Sequence, residues 1–192
     1  MTEEINNIAR ATHGKFEVIR LNHRQVLTDI LDTAGVPAEL HTDALVAIDK
    51  LDKIGTSGVI AELTELDATG ALALGAVLSR VEPLLAGDGI ALTRESISSA
   101  LPAGAAQAGV DNLAAIGDAL VGALPGGVEI RFDPTLVRGM GYYTGTIFEV
   151  AHPGSGSSVG GGGRYDGMVG RFLGQDVPAV GFSIGFERVV DL

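Results

Sequence analysis

The sequence contains no cysteine, which excludes disulfides, zinc–thiolate sites and a cysteine nucleophile. Long hydrophobic runs are also missing, because glycine, proline or a charged residue interrupts each apolar stretch. We therefore predict no membrane-spanning segment. The first residues include the acidic Glu3 and Glu4 and show no basic segment followed by an apolar one, so no signal peptide is predicted. Together with the lack of cysteine, this favours a cytoplasmic protein.

The chain has little positive charge, and that charge is unevenly distributed. Its 192 residues hold 13 lysines and arginines against 24 aspartates and glutamates, a net charge of −11. Residues 1–127 hold 8 basic and 17 acidic residues, whereas residues 128–192 hold 5 and 7. A generic nucleic-acid surface, which mixes lysine with arginine, is therefore not predicted. The basic residues of the second part are Arg131, Arg138, Arg164, Arg171 and Arg188. Arginines in a glycine-rich setting are typical of a discrete anion pocket.

The hydrophobic pattern divides the chain into strand-rich ends and a helical middle. A hydrophobic content of 46% is enough to bury a sizeable core. A short strand is predicted over residues 15–22, and helices over most of residues 42–124. The period then changes from about 3.6 to 2, and residues 128–133 are predicted to form a half-buried strand. Residues 177–186 are predicted to form a buried strand that leads into the first turn of a helix.

Several residues mark the boundaries of predicted helices. His23 lies where the first strand meets a helix, and a lone histidine there is more often a capping or packing residue than a ligand or a base. One helix is predicted over residues 42–54, with Asp49 and Lys53 paired on a solvated face. Another is predicted over residues 70–85, and a later helix is predicted to begin at an Asp111 cap. A helix is predicted after His23 because apolar residues recur there at helical spacing, namely Val26, Leu27, Ile30 and Leu31.

Residues 136–148 place Arg138 close to glycines and just ahead of Tyr142 and Tyr143. A guanidinium with little steric cover suits a carboxylate or a phosphate. A β-hairpin with a surface arginine and core tyrosines fits the same residues equally well. If the tyrosine pair lies in a strand, its side chains point to opposite faces, so only one of them can line a given wall.

A glycine- and serine-rich segment follows, over residues 154–163, and ends in four glycines. It lacks the Lys-Ser/Thr pair of a Walker loop, and no Gly-x-Gly-x-x-Gly register can be placed on it. The four glycines permit close approach of the backbone to a ligand. A flexible hairpin tip explains them as well, and from this segment alone the hairpin tip is favoured.

Taken together, these segments resemble the histidyl-tRNA synthetases, a family of class II aminoacyl-tRNA synthetases. Residues 136–145 are similar to the family's second histidine-specific motif, and residues 161–167 to its GGRYDGL element. Residues 177–188 are similar to class II motif 3. Residues 22–24 and 49–53 also resemble family segments. The resemblance covers most of the chain and is most specific over residues 128–192.

The resemblance implies a role for five residues. Arg138 matches the arginine that contacts the α-phosphate of ATP and the carboxylate side of histidine, and is the expected catalytic residue. Tyr142, Tyr143 and Tyr165 are expected to line the histidine pocket. Arg188 matches the motif 3 arginine that grips ATP. Magnesium is expected to accompany ATP, and no residue is predicted as a metal ligand.

The resemblance also implies an α+β fold. Residues 1–40 and 126–192 are expected to form part of a class II antiparallel β-sheet, and residues 41–125 a helical insertion domain. Motifs 1 and 2 and the anticodon-binding domain are not found. We therefore expect a catalytic-core fragment that is inactive alone and self-associates through uncovered sheet edges. Gly141 stands where the family has an aspartate, which removes a hydrogen-bonding carboxylate beside the tyrosine pair.

The expected function of the parent enzyme is ATP-dependent attachment of histidine to tRNA(His) through histidyl-adenylate, carried out by a homodimer. A second possibility is a non-catalytic paralogue that regulates another enzyme, as the regulatory subunit of ATP phosphoribosyltransferase does, or that senses uncharged tRNA. A plain helical interaction module would explain residues 42–124 but not residues 128–192.

Overall fold

A computed structural model describes residues 18–104, 107–124, 127–138, 141–152, 154–155, 157–175 and 177–192. The predicted strand over residues 15–22 is therefore described only from Val18. The strands are β1 (Val18–His23), β2 (Ile90–Ala91), β3 (Glu129–Phe132), β4 (Thr146–Ala151), β5 (Gly160–Arg164) and β6 (Val180–Ile184). The α-helices are α1 (Arg24–Thr33), α2 (His41–Ile48), α3 (Leu51–Leu66), α4 (Ala68–Ala86), α5 (Arg94–Ala100), α6 (Gln107–Leu120), α7 (Asp166–Leu173) and α8 (Phe186–Val190). A 3-10 turn covers Ala38–Leu40.

The six strands form one sheet in the order β2-β3-β1-β4-β5-β6. All neighbouring strands are antiparallel except β1 and β3. The chain leaves β1, passes through α1 to α6 and returns beside it, and such a crossover is what a parallel pair requires. The α+β fold predicted from the sequence is confirmed, with this one parallel pair inside the largely antiparallel sheet.

One face of the sheet supplies much of the core. Alternate residues of β1, β3 and β4 are fully buried, as expected for strands with one packed face. These residues are Ile19, Leu21, Phe132, Phe148 and Val150. Helices α1 and α6 contact β1, and α6 also contacts β4. The opposite face carries the polar residues described below.

Two predicted helix boundaries are wrong, because tertiary contacts override the local signals. The helix predicted over residues 42–54 ends at Ile48, and α3 begins at Leu51 and kinks at Gly55, where φ is 68°. The Asp111 cap is not used, since α6 already begins at Gln107. Asp111 pairs instead with Arg94. The earlier start of α6 buries Val110 in the core.

The strand predicted over residues 177–186 is shorter and less buried than expected. Strand β6 spans Val180–Ile184, and Phe182 and Ile184 are 44% and 42% exposed. It is the last strand of the sheet in the part of the chain that the structure describes. An edge strand is covered on one side only, which explains the exposure of its side chains.

Helix α4 is long and apolar enough to cross a membrane, the only such helix among the described residues. Its contacts are those of a core helix, because a stripe of buried residues packs it against α3. The stripe consists of Ala71, Leu74, Leu78 and Val81. Arg80 and Glu82 interrupt the apolar sequence, and they bind the carbonyl of Ala100 and the hydroxyl of Thr56 respectively. The helix predicted over residues 70–85 agrees with these bounds, and Pro83 lies inside its last turn without ending it.

Candidate active site

The open face of the sheet carries a row of aligned residues. Strand register makes Arg20 of β1 the partner of Glu149 on β4, and Glu149 the partner of Gly161 on β5. Gly161 in turn pairs with Ser183 of β6. Cross-strand partners project from the same face of a sheet. Arg20, Glu149 and Ser183 of this row form the floor of a cleft of about 810 Å³.

The walls of the cleft come from three other segments. Asp49, Asp52 and Lys53 contribute from the turn between α2 and α3 and the start of α3. They are exposed, as predicted for this helix face, but they border the cleft. The other wall residues are Val137, Arg138, Tyr142, Tyr143, Ala151, Ser155, Ser157 and Ser158. The cleft is therefore lined by cations, anions, phenols and hydroxyls together.

Arg138 reaches into this cleft from a segment without regular secondary structure. Its Nη1 donates a hydrogen bond of 2.9 Å to Oε2 of Glu149, and its side chain is 24% exposed. The hairpin interpretation of residues 136–148 is wrong, because β4 begins only at Thr146 and pairs with β1 and β5. The guanidinium is thus held against the sheet rather than turned outward.

The three predicted histidine-pocket tyrosines lie together. The hydroxyl of Tyr142 donates to that of Tyr143 over 3.3 Å, and their ring centroids are 4.5 Å apart. Tyr165 meets Tyr142 edge-on, with centroids 5.9 Å apart. All three border a second hollow of about 230 Å³ that also adjoins Gly161 and Gly181. Residues 141–145 do not form a strand, so the divergence expected of strand neighbours does not apply, and both tyrosines border the same hollow.

The Tyr143 hydroxyl ionises less readily than an ordinary phenol, which is itself neutral at physiological pH. Burial raises the pKa of Tyr143 to about 12, and the hydroxyl of Tyr142 adds to the shift. The positive charge of Arg138 opposes it only in part. A phenol that stays neutral at physiological pH can donate a hydrogen bond to a ligand nitrogen or oxygen.

The four glycines form a strand, so the hairpin-tip interpretation is wrong for them, although the earlier part of the glycine- and serine-rich segment does connect the antiparallel strands β4 and β5. Gly160 to Gly163 lie in β5, between β4 and β6. A Cβ added at Gly161 would collide with Nη2 of Arg138, and one at Gly163 would come within 2.8 Å of the Tyr143 ring. A Cβ at Gly181, on β6, would collide with the hydroxyl of Tyr165. These glycines therefore leave the space that the arginine and the tyrosines occupy on the sheet.

Asp166 fixes the position of Tyr165 at the start of α7. Its Oδ1 accepts from the backbone N–H of Ala179 at 2.8 Å, and its Oδ2 from Nε of Arg164 at 2.7 Å. Partial burial raises the pKa of Asp166, but the Ala179 N–H and the Arg164 guanidinium outweigh it and leave the pKa below its usual range. The sequence offered no separate signal for this role.

Two further predicted residues lie outside the cleft lining. The Nη1 of Arg188 donates to the carbonyl of Ser158 at 2.5 Å, so this arginine lies behind a residue that borders the cleft. His23 caps α1, because its Nδ1 accepts from the N–H of Gln25 at 3.1 Å. Burial and the nearby Arg164 lower the pKa of His23. The capping interpretation is confirmed.

Two aspartates that border the cleft lie close enough to its arginines to interact with them electrostatically. Burial raises the pKa of Asp49. The positive charges of Arg138 and Lys53 lower this pKa, whereas the negative charge of Glu149 raises it, and the net result is a rise. Asp52 lies 3.8 Å from Nη2 of Arg20. Within the described ranges, no group of three or more histidine, aspartate or glutamate side chains is arranged to hold a metal ion.

Comparison with known proteins gives a consistent result. A profile of the histidyl-tRNA synthetase family matches residues 4–189. A histidine–tRNA ligase of Leifsonia xyli subsp. xyli is 62% identical over 174 residues, which cover 91% of this chain and 40% of that protein. The crystal structure of histidyl-tRNA synthetase from Nostoc sp. PCC 7120 superposes with a TM-score of 0.76 at 28% identity, covering 100% of this chain and 45% of that one.

A structure described as an ATP phosphoribosyltransferase regulatory subunit/histidyl-tRNA synthetase from Bacillus halodurans superposes with a TM-score of 0.75. It covers 99% of this chain and 48% of its own, and at 20% identity it shows a shared fold alone. The chain spans about two fifths of the length of the curated relatives that it matches. The profile match over nearly the whole chain shows that it belongs to the histidyl-tRNA synthetase family.

Proposed function

We propose that the cleft binds ATP and histidine, and that the chain is part of a histidine–tRNA ligase that activates histidine and transfers it to tRNA(His). The observation that supports this most directly is the location of Arg138. Its guanidinium lies in the wall of the cleft, held by Glu149 at 2.9 Å, and Tyr142 and Tyr143 line the same cleft.

The proposed chemistry needs a fixed cation at the α-phosphate. A carboxylate oxygen of histidine attacks the α-phosphorus, the bond to the bridging oxygen breaks, and pyrophosphate leaves. Negative charge accumulates on the phosphoryl oxygens during this step. Arg138 uses one N–H of Nη1 for Glu149, and a guanidinium has five N–H donors, so further donors can bind those oxygens. A donor that is already in place stabilises the transition state without reorganisation.

The tyrosines would recognise the imidazole ring. With a pKa raised to about 12, the Tyr143 hydroxyl stays protonated and can donate to a ring nitrogen. Tyr165 and Tyr142 enclose the same hollow. A site built to hydrogen-bond a polar side chain rejects apolar analogues strongly, because its own polar groups would be left unpaired.

Arg188 and magnesium remain less directly connected to the site. We propose that Arg188 contacts ATP from the Ser158 side of the cleft, where its guanidinium now binds a carbonyl. Magnesium would enter bound to ATP and neutralise phosphate charge. Asp49 and Asp52 border the cleft, but we assign neither as a ligand and route no step through the ion.

The remaining proposals concern the parent enzyme. We propose that residues 41–125 are the insertion domain, which in this family helps to hold the tRNA acceptor arm. The parent would be a cytoplasmic homodimer. The chain alone is expected to bind substrates without turning them over, because the resemblance assigns motif 2, with its ATP-binding arginine, to the rest of the parent.

Titration calorimetry of the chain with a non-hydrolysable ATP analogue and with histidine tests the proposed site. Arg138→Ala is expected to weaken the affinity for the ATP analogue by about 10- to 100-fold, the effect of losing a charged hydrogen-bond donor. Arg171→Ala on α7 is the matched control, since Arg171 is exposed and outside the cleft lining. A wild-type chain that binds neither ligand contradicts the proposal. Pyrophosphate exchange at the rate of a full-length synthetase would contradict the expectation that the chain is inactive.

A non-catalytic regulatory role is the second candidate, supported by the fold shared with the Bacillus halodurans protein. A regulator that binds histidine has less need of an arginine for ATP. Histidine binding that survives Arg138→Ala, without any binding of the ATP analogue by the wild-type chain, would favour the regulatory role.

A further inference from the structure

Glu149 is the only charged residue in the otherwise apolar or small strand β4. Its neighbours Phe148 and Val150 point into the core, while its own side chain is 13% exposed on the cleft side. The two carboxylate oxygens are shared between two arginines. Oε1 accepts from Nη2 of Arg20, and Oε2 accepts from Nη1 of Arg138 at 2.9 Å. A carboxylate this enclosed is retained only if its charge is compensated.

The pairing continues away from the cleft. Arg20 Nη1 donates to Oδ2 of Asp133 at 3.3 Å, and the Asp133 side chain is only 3% exposed. The other oxygen of Asp133 accepts from the N–H and the hydroxyl of Thr135, at 2.9 and 2.6 Å. A line of alternating charges therefore runs from Asp133 through Arg20 and Glu149 to Arg138. Each member is stabilised by opposite charges in a partly buried setting.

Arg138 is the end of this line that faces the cleft, and it is also the member with the least backbone support. No described strand or helix contains it, whereas Glu149 lies in a strand paired on both sides and the N–H of Asp133 donates to the carbonyl of Leu21 at 2.9 Å. An arginine side chain has several rotatable bonds, and ordering it costs conformational entropy. A loop backbone does not fix the guanidinium, so its direction depends on the partner that it binds.

We propose that Glu149 is the positioning residue for Arg138. It holds the Nη1 edge of the guanidinium on the glycine strand, so that the remaining N–H groups face the ligand. This inference rests on the proposed binding of ATP at Arg138. An error of about 1 Å in such a group can cost up to about 100-fold in rate. The opposite role for a carboxylate at this place is competition, in which Glu149 occupies Arg138 and a phosphate must displace it.

The two roles predict opposite signs for Glu149→Gln. This variant keeps the size of the side chain and removes its charge. If Glu149 positions Arg138, the affinity for the ATP analogue falls by roughly 10-fold, the size of one charged hydrogen bond. If Glu149 competes with phosphate, the affinity rises, and the proposal is overturned. Glu129→Gln is the matched control, because Glu129 on β3 pairs with Arg131 at 2.6 Å and its side chain is 62% exposed.

A double-mutant cycle with Arg138→Ala separates positioning from a general structural effect. If Glu149 acts through Arg138, Glu149→Gln causes no further loss of affinity in the Arg138→Ala background. An equal loss in both backgrounds overturns the proposal. Circular dichroism and urea unfolding establish that each variant is folded. If Glu149→Gln does not fold, Glu149→Asp replaces it in the cycle, since its carboxylate is one methylene too short to bind both arginines.

The outcome distinguishes this inference from the function on which it rests. Binding of the ATP analogue that depends on Arg138 but not on Glu149 overturns the positioning role alone. Absence of binding by the wild-type chain overturns the proposed function and the inference with it.

Discussion

Strands β4 and β5 lie side by side in the sheet, yet opposite kinds of residue build them. β4 sends Phe148 and Val150 into the core, where each is at most 1% exposed. β5 begins with four glycines and has no side chain to bury until Arg164. Backbone pairing with β4 and β6 holds β5 in place. Side chains from other segments, those of Arg138 and Tyr143, then lie across it.

This difference shows where the protein gives up stability for a site. Glycine in a strand interior is unfavourable by about 0.5–1 kcal/mol relative to alanine, because it loses more backbone freedom. Four such residues in a row are costly unless a larger side chain would obstruct something else. For two of them, the collisions of an added Cβ identify what would be obstructed: Arg138 above Gly161 and Tyr143 above Gly163.

Phe148→Ala on β4 is expected to have the largest effect on folding. Phe148 is fully buried, and removing a buried aromatic ring costs about 3–5 kcal/mol in the free energy of unfolding. Urea denaturation measures this value. Phe172→Ala on α7 is the control, because Phe172 is 85% exposed and its loss should change stability by about 0.5 kcal/mol or less. Equal losses for the two variants would contradict the assignment of β4 to the core.

Gly161→Ala tests the other side of the comparison. The new methyl group would collide with Nη2 of Arg138 and lie 2.8 Å from the carbonyl of Phe148. We expect a loss of about 1–3 kcal/mol in unfolding free energy, typical of overpacking, and weaker binding of the ATP analogue. Gly160→Ala is the matched control on the same strand. Its Cβ would meet the carbonyl of Ser183 at 3.1 Å and would not touch Arg138.

The result for ligand binding decides whether β5 serves the site. If Gly161→Ala and Gly160→Ala weaken the affinity for the ATP analogue equally, the glycines matter for the strand as a whole. A selective loss in Gly161→Ala would show that the space above this glycine is what Arg138 requires.

The same contrast explains what could be predicted from the sequence. Strand β3 and helix α1 follow from periodicity, because Phe132, Val26 and Leu31 are spaced as a packed face requires, and all three are fully buried. Glycine carries no such periodicity. The strand state of β5 depends on pairing with two strands that are distant from each other along the chain, and a single sequence does not show that pairing.

Within the site, the resemblance to the family located the arginine and the tyrosines, but the supporting residues were missed. Glu149 was recognisable as a single charge within an apolar strand, a pattern that indicates a buried partner. Arg20 gave a similar signal in β1. Which charges meet is decided by strand register, and register follows from the whole sheet.

Tyr143→Phe should change how steeply the free energy of unfolding falls at alkaline pH. The effect should be smaller than those of Phe148→Ala and Gly161→Ala. The pKa of Tyr143 is raised to about 12 in the folded chain, against about 10 in an unfolded one. Folding therefore favours the neutral phenol. The stabilisation that this gives is fully present below about pH 10 and is lost as the pH rises towards 12. Urea unfolding between these pH values should show a shallower decline for Tyr143→Phe.

Absorbance titration of tyrosinate gives an independent measurement, since the variant should lack the step at highest pH. Tyr165→Phe is the control, because it leaves the hydroxyl pair of Tyr142 and Tyr143 in place. If Tyr143→Phe and the wild type decline in parallel, Tyr143 is not buried against β5 as the structure has it.

His23→Asn should have the smallest effect and should act on the acid limb, at the end of β1 that pairs with Thr146 of β4. Burial and Arg164 lower the pKa of His23, with Asp29 opposing. The unfolded chain therefore binds the proton more readily, so stability is full above about pH 6.5 and is lost as the pH falls through the lowered pKa. Protonation of Nδ1 also removes the acceptor for the Gln25 N–H and places a positive charge at a helix N-terminus.

Asparagine caps a helix without titrating, so the stability of the variant should be within about 1 kcal/mol of wild type at pH 8. Its stability should also be less sensitive to acid, which urea unfolding from pH 8 to 5 would show. With His41→Asn as a control for losing a histidine elsewhere, a parallel decline of wild type and His23→Asn would mean that the acid limb does not originate at the β1–α1 junction.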